Sequence, residues 1–349
     1  MCIRDSSQPI TKNRLKNIID LFLNCPIAVY GDFLADEYIF GEFSRVSREA
    51  PVLILEYKES QILPGGAANT VNNLRKLGAS PIPIGALGND AAGKEIKQQF
   101  RGLKLPLSST ILVNDYCTPT KTRFVTGSVH SSRQQVLRLD RSKPFRHTGE
   151  SKNKLWDKLH SLSKKSKAMI ISDYGFGYVD PAMVTRISKL LKGFPITIDS
   201  RHNLLKFSGL TASTPNEPEV EELLGYKIGN DLEHLQKAGK TLLKRLKSEA
   251  VLITRGRDGM VLFTRKNPSV NIPIFGSDEV ADVTGAGDTV IAVFTLALAV
   301  GASFEEAAYL SNYAGGLVVM KHGTATVCLL YTSDAADERS SVDLGGRRI

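Results

Sequence analysis

Asp282-Val-Thr-Gly-Ala-Gly-Asp288 stands directly before the apolar run Thr289 to Val300. Gly285 and Gly287 flank Ala286 and allow a sharp turn into a helix. The first amides of a helix lack intrahelical partners and sit at the positive end of its dipole, so they bind anions. A carboxylate at that point repels a bare phosphate unless it handles a proton. The combination suits phosphoryl transfer: the amides of Gly285, Ala286 and Gly287 hold the moving group, and Asp288 takes the proton of the attacking hydroxyl. Anion-binding amides would also favour the charged form of Asp288. A capped core helix with glycines for close packing fits the same spacing.

Other residues have the types such a reaction needs. Gly65 and Gly66 precede a helical pattern, so the backbone can approach a bound sugar and Asn69 can meet its hydroxyls; a plain turn reads the same way. Asp32 and Asp36 flank a strand end and suit hydroxyl pairs, or a solvated loop. Asn216 and Glu219 follow Thr214-Pro215 and offer hard oxygens for Mg²⁺, usually through waters. The same two residues can form a helix capping box, and both readings can hold together. Lys121 and Arg123 alternate by two and share one strand face, where two cations suit a sugar phosphate. A solvated face is the alternative.

The elements that must position these groups alternate along the chain. Pro26–Tyr30, Pro81–Gly85, Ala168–Ser172, Pro195–Asp199 and Ala250–Thr254 read as buried strands. Helical patterns cover Ala68–Leu77, Gly93–Phe100, Pro181–Leu191 and Asp231–Leu246. This order predicts an α/β fold with a mostly parallel central sheet and helices on both faces. Ligands of such sheets sit beyond the C-terminal strand ends, which makes Asp32, Asp173, Asp199, Asn216 and Thr254 candidates. Phe40–Leu63 and Ile111–Asp140 are rich in β-branched and aromatic residues without intervening helix. They are expected to form extra antiparallel strands, a small β lid over one edge.

A chain of 349 residues that is 42% hydrophobic can bury one large core. The net charge of +9 is spread along the sequence, which fits a phosphate-bearing small substrate better than nucleic acid. Cys2, Cys25, Cys117 and Cys328 form no CxxC pair, so a reduced, cytoplasmic protein is expected. The run Thr289–Val300 is shorter than the ~20 residues that span a bilayer, so no membrane role is expected. Residues 1–10 and 328–349 resemble translated adapter sequence or a disordered end, which leaves 11–327 as the folded domain.

Several of these stretches together resemble one family. Asp282–Asp288 with Thr289 is similar to the second signature of the PfkB (ribokinase-like) carbohydrate kinases, and Gly65–Asn69 through Gly78 to the first. Asn216-Glu-Pro-Glu219 resembles the family's element that organises Mg²⁺ and the ATP phosphates; Thr254-Arg-Gly256 with Asp258-Gly259 resembles its nucleotide loop. The resemblance implies a ribokinase-like fold, ATP and Mg²⁺ as cofactors and Asp288 as base. It implies a nucleotide site of Asn216, Glu217, Glu219, Thr254, Gly256, Gly259 and Asn312, with metal at Glu219 and Asn216 through water. It implies a sugar site of Asp32, Asp36, Gly65, Gly66, Asn69, Lys121, Arg123, Arg138 and Asp173, and a homodimer joined through the lid.

Within the family, Gly31–Asp36, Ser44–Pro51, Pro64–Asn69, Thr118–Arg123, Gln134–Asp140, Ser172–Tyr174 and Lys321–Ala325 resemble kinases that phosphorylate D-glycero-β-D-manno-heptose 7-phosphate at the anomeric hydroxyl. Those kinases carry lysine where this chain has Phe176, and Asp-Pro-Lys where it has Asp199-Ser200-Arg201. Another sugar, phosphosugar or nucleoside as acceptor, or a non-catalytic sugar-phosphate-binding protein on the same fold, stays open.

Overall fold

The computed structural model describes residues 10–127, 134–275 and 284–320. Asp282, Val283, the Lys321–Ala325 stretch and both adapter-like ends lie outside the described residues, apart from Ile10. In chain order the elements begin with α1 (Lys12–Asp20), β1 (Pro26–Gly31), β2 (Phe33–Val46), β3 (Leu53–Gly66), α2 (Ala67–Lys76), β4 (Ser80–Gly88), α3 (Ala91–Gly102), β5 (Thr110–Val113), β6 (Thr120–Thr126) and β7 (Gln134–Arg141). They continue with α4 (Gly149–Ser163), β8 (Ala168–Asp173), α5 (Pro181–Leu190), β9 (Ile196–Ser200), β10 (Ala212–Ser213), α6 (Glu217–Leu224) and α7 (Leu232–Leu246). The last are β11 (Ala250–Thr254), β12 (Met260–Thr264), β13 (Val270–Ile272), α8 (Ala286–Ala299) and α9 (Phe304–Val319).

The main sheet has the order β13-β12-β11-β10-β9-β8-β1-β4-β5. Its pairs are parallel from β11 to β5, and β12 and β13 close the far edge antiparallel. The strands are apolar on both faces because both are covered. Ile27 and Val29 of β1 point into a core built with α1, α2, α3, α8 and α9. Ala28 and Tyr30, one residue out of phase, enter the opposite core with α4, α5, α6 and α7. Helix α8 is buried on every side, as its all-round apolar sequence requires. Each large side chain so buried, such as Phe294, contributes about 1.5–3 kcal/mol. Asp231 caps α7 by accepting from the amides of Glu233 and His234, so the helix starts one residue after the predicted Asp231.

A second sheet, ordered β3-β2-β6-β7, stands over one end of the first. It corrects the expected lid in three ways. Its strands start at Phe33 and run to Gly66, so they leave β1 and enter α2 with almost no linker. Its β2–β6 pair is parallel, not antiparallel. Residues 110–113 do not belong to it: they pair with β4 at the edge of the main sheet. The physical reason is a change of partner that alternation cannot reveal. The Asp32 amide donates to Ser172 O (3.0 Å) in the main sheet, and the Ala35 amide donates to Pro119 O (2.8 Å) in the lid. Among the described residues no helix is long and apolar enough to cross a membrane.

Candidate active site

A cavity of about 820 Å³ opens where the C-terminal ends of β8, β9 and β11 meet the N-terminus of α8 and the inner face of the lid. Asp36, Gly66, Lys121, Arg123, Arg138, Asp173, Asn216, Glu217, Glu219, Thr254, Gly256, Gly259, Gly285 to Asp288 and Asn312 all line it.

Gly285 takes a left-handed conformation (φ 80°) that starts α8 without a side-chain cap. The first-turn amides of Ala286, Gly287 and Asp288 sit at the cavity wall, with no side-chain capping bond among the described residues, as an anion site needs. Asp288 is buried among them. Its Oδ2 accepts from Asn69 Nδ2 (2.9 Å), its Oδ1 accepts from the Tyr174 hydroxyl (2.9 Å), and Thr70 Oγ1 lies 3.4 Å from Oδ1. Burial pushes its carboxyl up to about 6, against the two hydrogen bonds that favour its charge. This corrects the expectation that the amides dominate. Loss of water outweighs them, and the group is poised near neutrality, where a general base works best.

At the end of the cavity beside α6, Asn216 and Glu219 form the capping box of that helix. Asn216 Oδ1 accepts from the Glu219 amide (2.9 Å) and Glu219 Oε2 accepts from the Asn216 amide (3.0 Å). Glu219 still lines the cavity with its carboxyl raised, first by burial. Asp199, at the end of β9, is pushed well above the ordinary carboxylate range by burial and then by Glu219, Asp288 and Asp173. The mutual repulsion of these acid groups acts at a distance, since among the described residues no three His, Cys, Asp or Glu side chains stand close enough to hold a metal ion directly. Arg255 binds Glu217 (2.6 Å) and ties the loop after β11 to α6, while Met260, Ile274, Val290 and Val319 give that end apolar walls. Asn312 donates to Pro273 O (2.8 Å), so its amide nitrogen fixes the wall it lines.

The lid supplies cations. In register, Asp36 of β2 faces Lys121 of β6, and Tyr38 faces Arg123, which in turn faces Arg138 of β7. Lys121 and Arg123 do share the cavity face, as their spacing predicts. Arg123 pairs with Asp36 at 2.5 Å, and Arg138 grips Asp140 through both nitrogens (2.7 and 2.5 Å). Burial pushes the Lys121 ammonium down, and Arg201, Arg138 and Arg123 push it further.

Three sequence-derived sugar contacts stand outside the cavity lining. Asp32 does not reach the cavity; its Oδ2 accepts from the amides of Tyr174 (2.9 Å) and Phe176 (3.1 Å) and its Oδ1 from that of Tyr178 (3.1 Å). It clamps the loop after β8, because a buried carboxylate must find donors. Gly65 lies behind the wall, where an added Cβ would collide with Asp36 Oδ2. Asn69 is buried beside Asp288 and donates its amide nitrogen to that carboxylate. Asp173 lines the cavity but is committed to Ser200 Oγ (2.7 Å) and the Gly175 amide (3.1 Å). Sequence reasoning met Tyr174 only within the Ser172–Tyr174 resemblance and gave it no role, and gave Asp199 none beyond a strand end. Arg201, a departure from the family pattern, lines the cavity, whereas Phe176 lies outside the lining residues.

Residues 27 to 330 match the model of the pfkB family carbohydrate kinases. The chain is 39% identical over 312 residues to the bifunctional protein HldE of Coxiella burnetii (strain Dugway 5J108-111), covering 88% of this chain and 63% of that one. It is 38% identical to HldE of Aeromonas salmonicida over 90% of its own length and 64% of the relative's. The chain thus spans less than two thirds of these relatives. Arabidopsis thaliana ribokinase, solved with ribose and ATP, superposes with a TM-score of 0.69 at 22% identity over 90% of this chain and 99% of that one. Escherichia coli phosphofructokinase-2, solved with substrates and products, gives 0.73 at 18% over 90% and 99%. The fold is therefore ribokinase-like, as the sequence resemblance implies.

Proposed function

The chain belongs to the pfkB family of carbohydrate kinases, and within it we propose an ATP-dependent kinase whose acceptor already carries a phosphate. D-glycero-β-D-manno-heptose 7-phosphate, phosphorylated at its anomeric hydroxyl, is the acceptor that the sequence resemblance and the HldE relatives support. One observation carries the reading: Lys121, Arg123, Arg138 and Arg201 crowd one end of a cavity whose other wall holds a carboxylate among open helix amides. Arg123 and Arg138 already have carboxylate partners in Asp36 and Asp140, so a substrate phosphate would relieve Lys121 and Arg201 and present a hydroxyl to Asp288.

The step follows from the residues. Asp288 takes the acceptor proton as the hydroxyl oxygen forms its bond to the γ-phosphorus of ATP. The bond from that phosphorus to the bridging oxygen breaks, and its electron pair leaves on ADP. The amides at the start of α8 hold the transferring oxygens. Glu219 and Asn216 would hold Mg²⁺ through water, and the ion would neutralise charge on the phosphates. Closure of the lid keeps out water, the competing acceptor. A screen of phosphorylated and free sugars, with magnesium titrated in each, tests this. The heptose phosphate should be the preferred acceptor, and Glu219→Gln, which can keep the capping bond, should weaken the magnesium response more than sugar binding. Preference for a free sugar or nucleoside would sink the acceptor assignment.

The lid also supports a homodimer. Leu137 and Leu139 of β7 stand on one face, 57% and 58% exposed, and Leu137 pairs with Phe124 and through it with Ile39. A half-exposed apolar sheet face of this kind is a partner surface, and a second copy's lid is its natural complement. Leu137→Asp with Leu139→Asp should convert a dimer to a monomer by analytical ultracentrifugation. A wild-type monomer at micromolar concentration would refute the assembly.

A further inference from the structure

We infer that Tyr174 is a positioning residue: its hydroxyl holds the Asp288 carboxylate in the orientation and charge state that proton abstraction needs, and its ring ties that carboxylate to the lid. The inference rests on the reading of Asp288 as the base.

The geometry is specific. The Tyr174 hydroxyl donates to Asp288 Oδ1 at 2.9 Å while Asn69 donates to Oδ2 at 2.9 Å, so both oxygens are held and the plane of the carboxylate is set. The tyrosine is itself held from behind. Its amide donates to Asp32 Oδ2 (2.9 Å), and the same carboxylate binds the amides of Phe176 and Tyr178, both at 3.1 Å. This gives the buried Asp32 a purpose that the sugar-contact reading lacked. Gly66 leaves room for the ring: a Cβ there would approach Tyr174 Cε2 to 3.1 Å. From the lid, the Lys121 ammonium lies over the ring, 5.3 Å from its centre. Tyr174 therefore touches the lid with its face and the base with its tip.

The other groups facing Asp288 set its baseline. They are Asn69 and Thr70 from α2, Asp36 and Lys121 from the lid, and Asp199 from β9. Asp36 opposes ionisation and Lys121 favours it, after burial, the largest influence. The phenol is pushed well above its ordinary value by burial and by the Asp288 charge, so it stays a donor across the working range. A donor favours the carboxylate over the acid, so its removal raises the Asp288 pKa.

The test is the pH profile of turnover for Tyr174→Phe in the full chain, with ATP, Mg²⁺ and the acceptor preferred by the wild type. A hydrogen bond to a charged group corresponds to a shift of about one to two pH units. The acid limb should move up by that amount, with turnover down about tenfold near pH 6.5 and mostly recovered near pH 8.5. Site-specific 3,5-difluorotyrosine at position 174, a stronger donor of nearly the same shape, should move the limb down. It supplies the answer if the phenylalanine variant fails to fold. An unmoved limb in the folded variants, or an equal loss at every pH, overturns the inference. Asp288→Asn run in parallel separates the two failures. If it stays active, the base assignment falls and the inference with it; if it is inactive while the Tyr174 variants keep the wild-type limb, only the inference falls.

Discussion

Asp288→Asn is expected to cut turnover by ~10²–10⁴ while leaving the protein at least as stable as the wild type at neutral pH. The first half follows from removing the basicity at the site to which the proposed mechanism sends the acceptor proton. The second half follows from burial. The Asp288 carboxyl is raised from 3.8 to about 6 in the fold. A raised carboxyl contributes stability that is fully present below about 3.8 and is lost as pH rises through about 6. At pH 7.5 the wild type has lost it, on the order of 3 kcal/mol. The amide has no such loss, and its new N–H can meet Asn69 Oδ1, which has no partner among the described residues. The variant should therefore melt several degrees higher at pH 7.5, and the difference should shrink toward pH 4. Near-normal turnover in the folded variant would remove Asp288 as base. A lower melting temperature at pH 7.5 would contradict the desolvated state of the carboxylate.

Lys121→Met combined with Arg201→Ala should raise the Michaelis constant for the phosphosugar by ~10²-fold or more, at about 1.5–3 kcal/mol for each charged hydrogen bond lost. An unphosphorylated analogue should change little, and added salt should narrow the difference. Both residues line the cavity, and after burial Arg201 pushes the Lys121 ammonium down. Arg123→Ala is the contrasting case. Its guanidinium is buried against Asp36, so its loss strands a buried carboxylate, which costs about 3–5 kcal/mol of stability. That variant should show a lower melting temperature along with any kinetic effect. Steady-state kinetics on both acceptors, with thermal melts, check the set. An equal effect of the double variant on phosphorylated and free sugars would mean that these cations do not hold a phosphate.

What the chain determines by itself is local. The Gly285-Ala286-Gly287-Asp288 turn, the apolar helix behind it, the Asn216–Glu219 capping box and the shared face of Lys121 and Arg123 are all legible, because each depends on neighbours within four residues. The strands β1, β8, β9 and β11 are legible too, since their burial on both faces leaves continuous apolar runs. The tertiary structure alone decides which distant groups meet. Asn69 and Tyr174 reach Asp288 across 219 and 114 residues, and no spacing rule encodes those bonds. It also decides that Asp32 turns inward to bind three amides, because the chain changes sheets within three residues of it. The direction of the Asp288 pKa belongs to the same class. Open amides can be read from Gly-Ala-Gly, but the amount of water excluded depends on everything packed around the carboxylate, and here that exclusion is the larger effect.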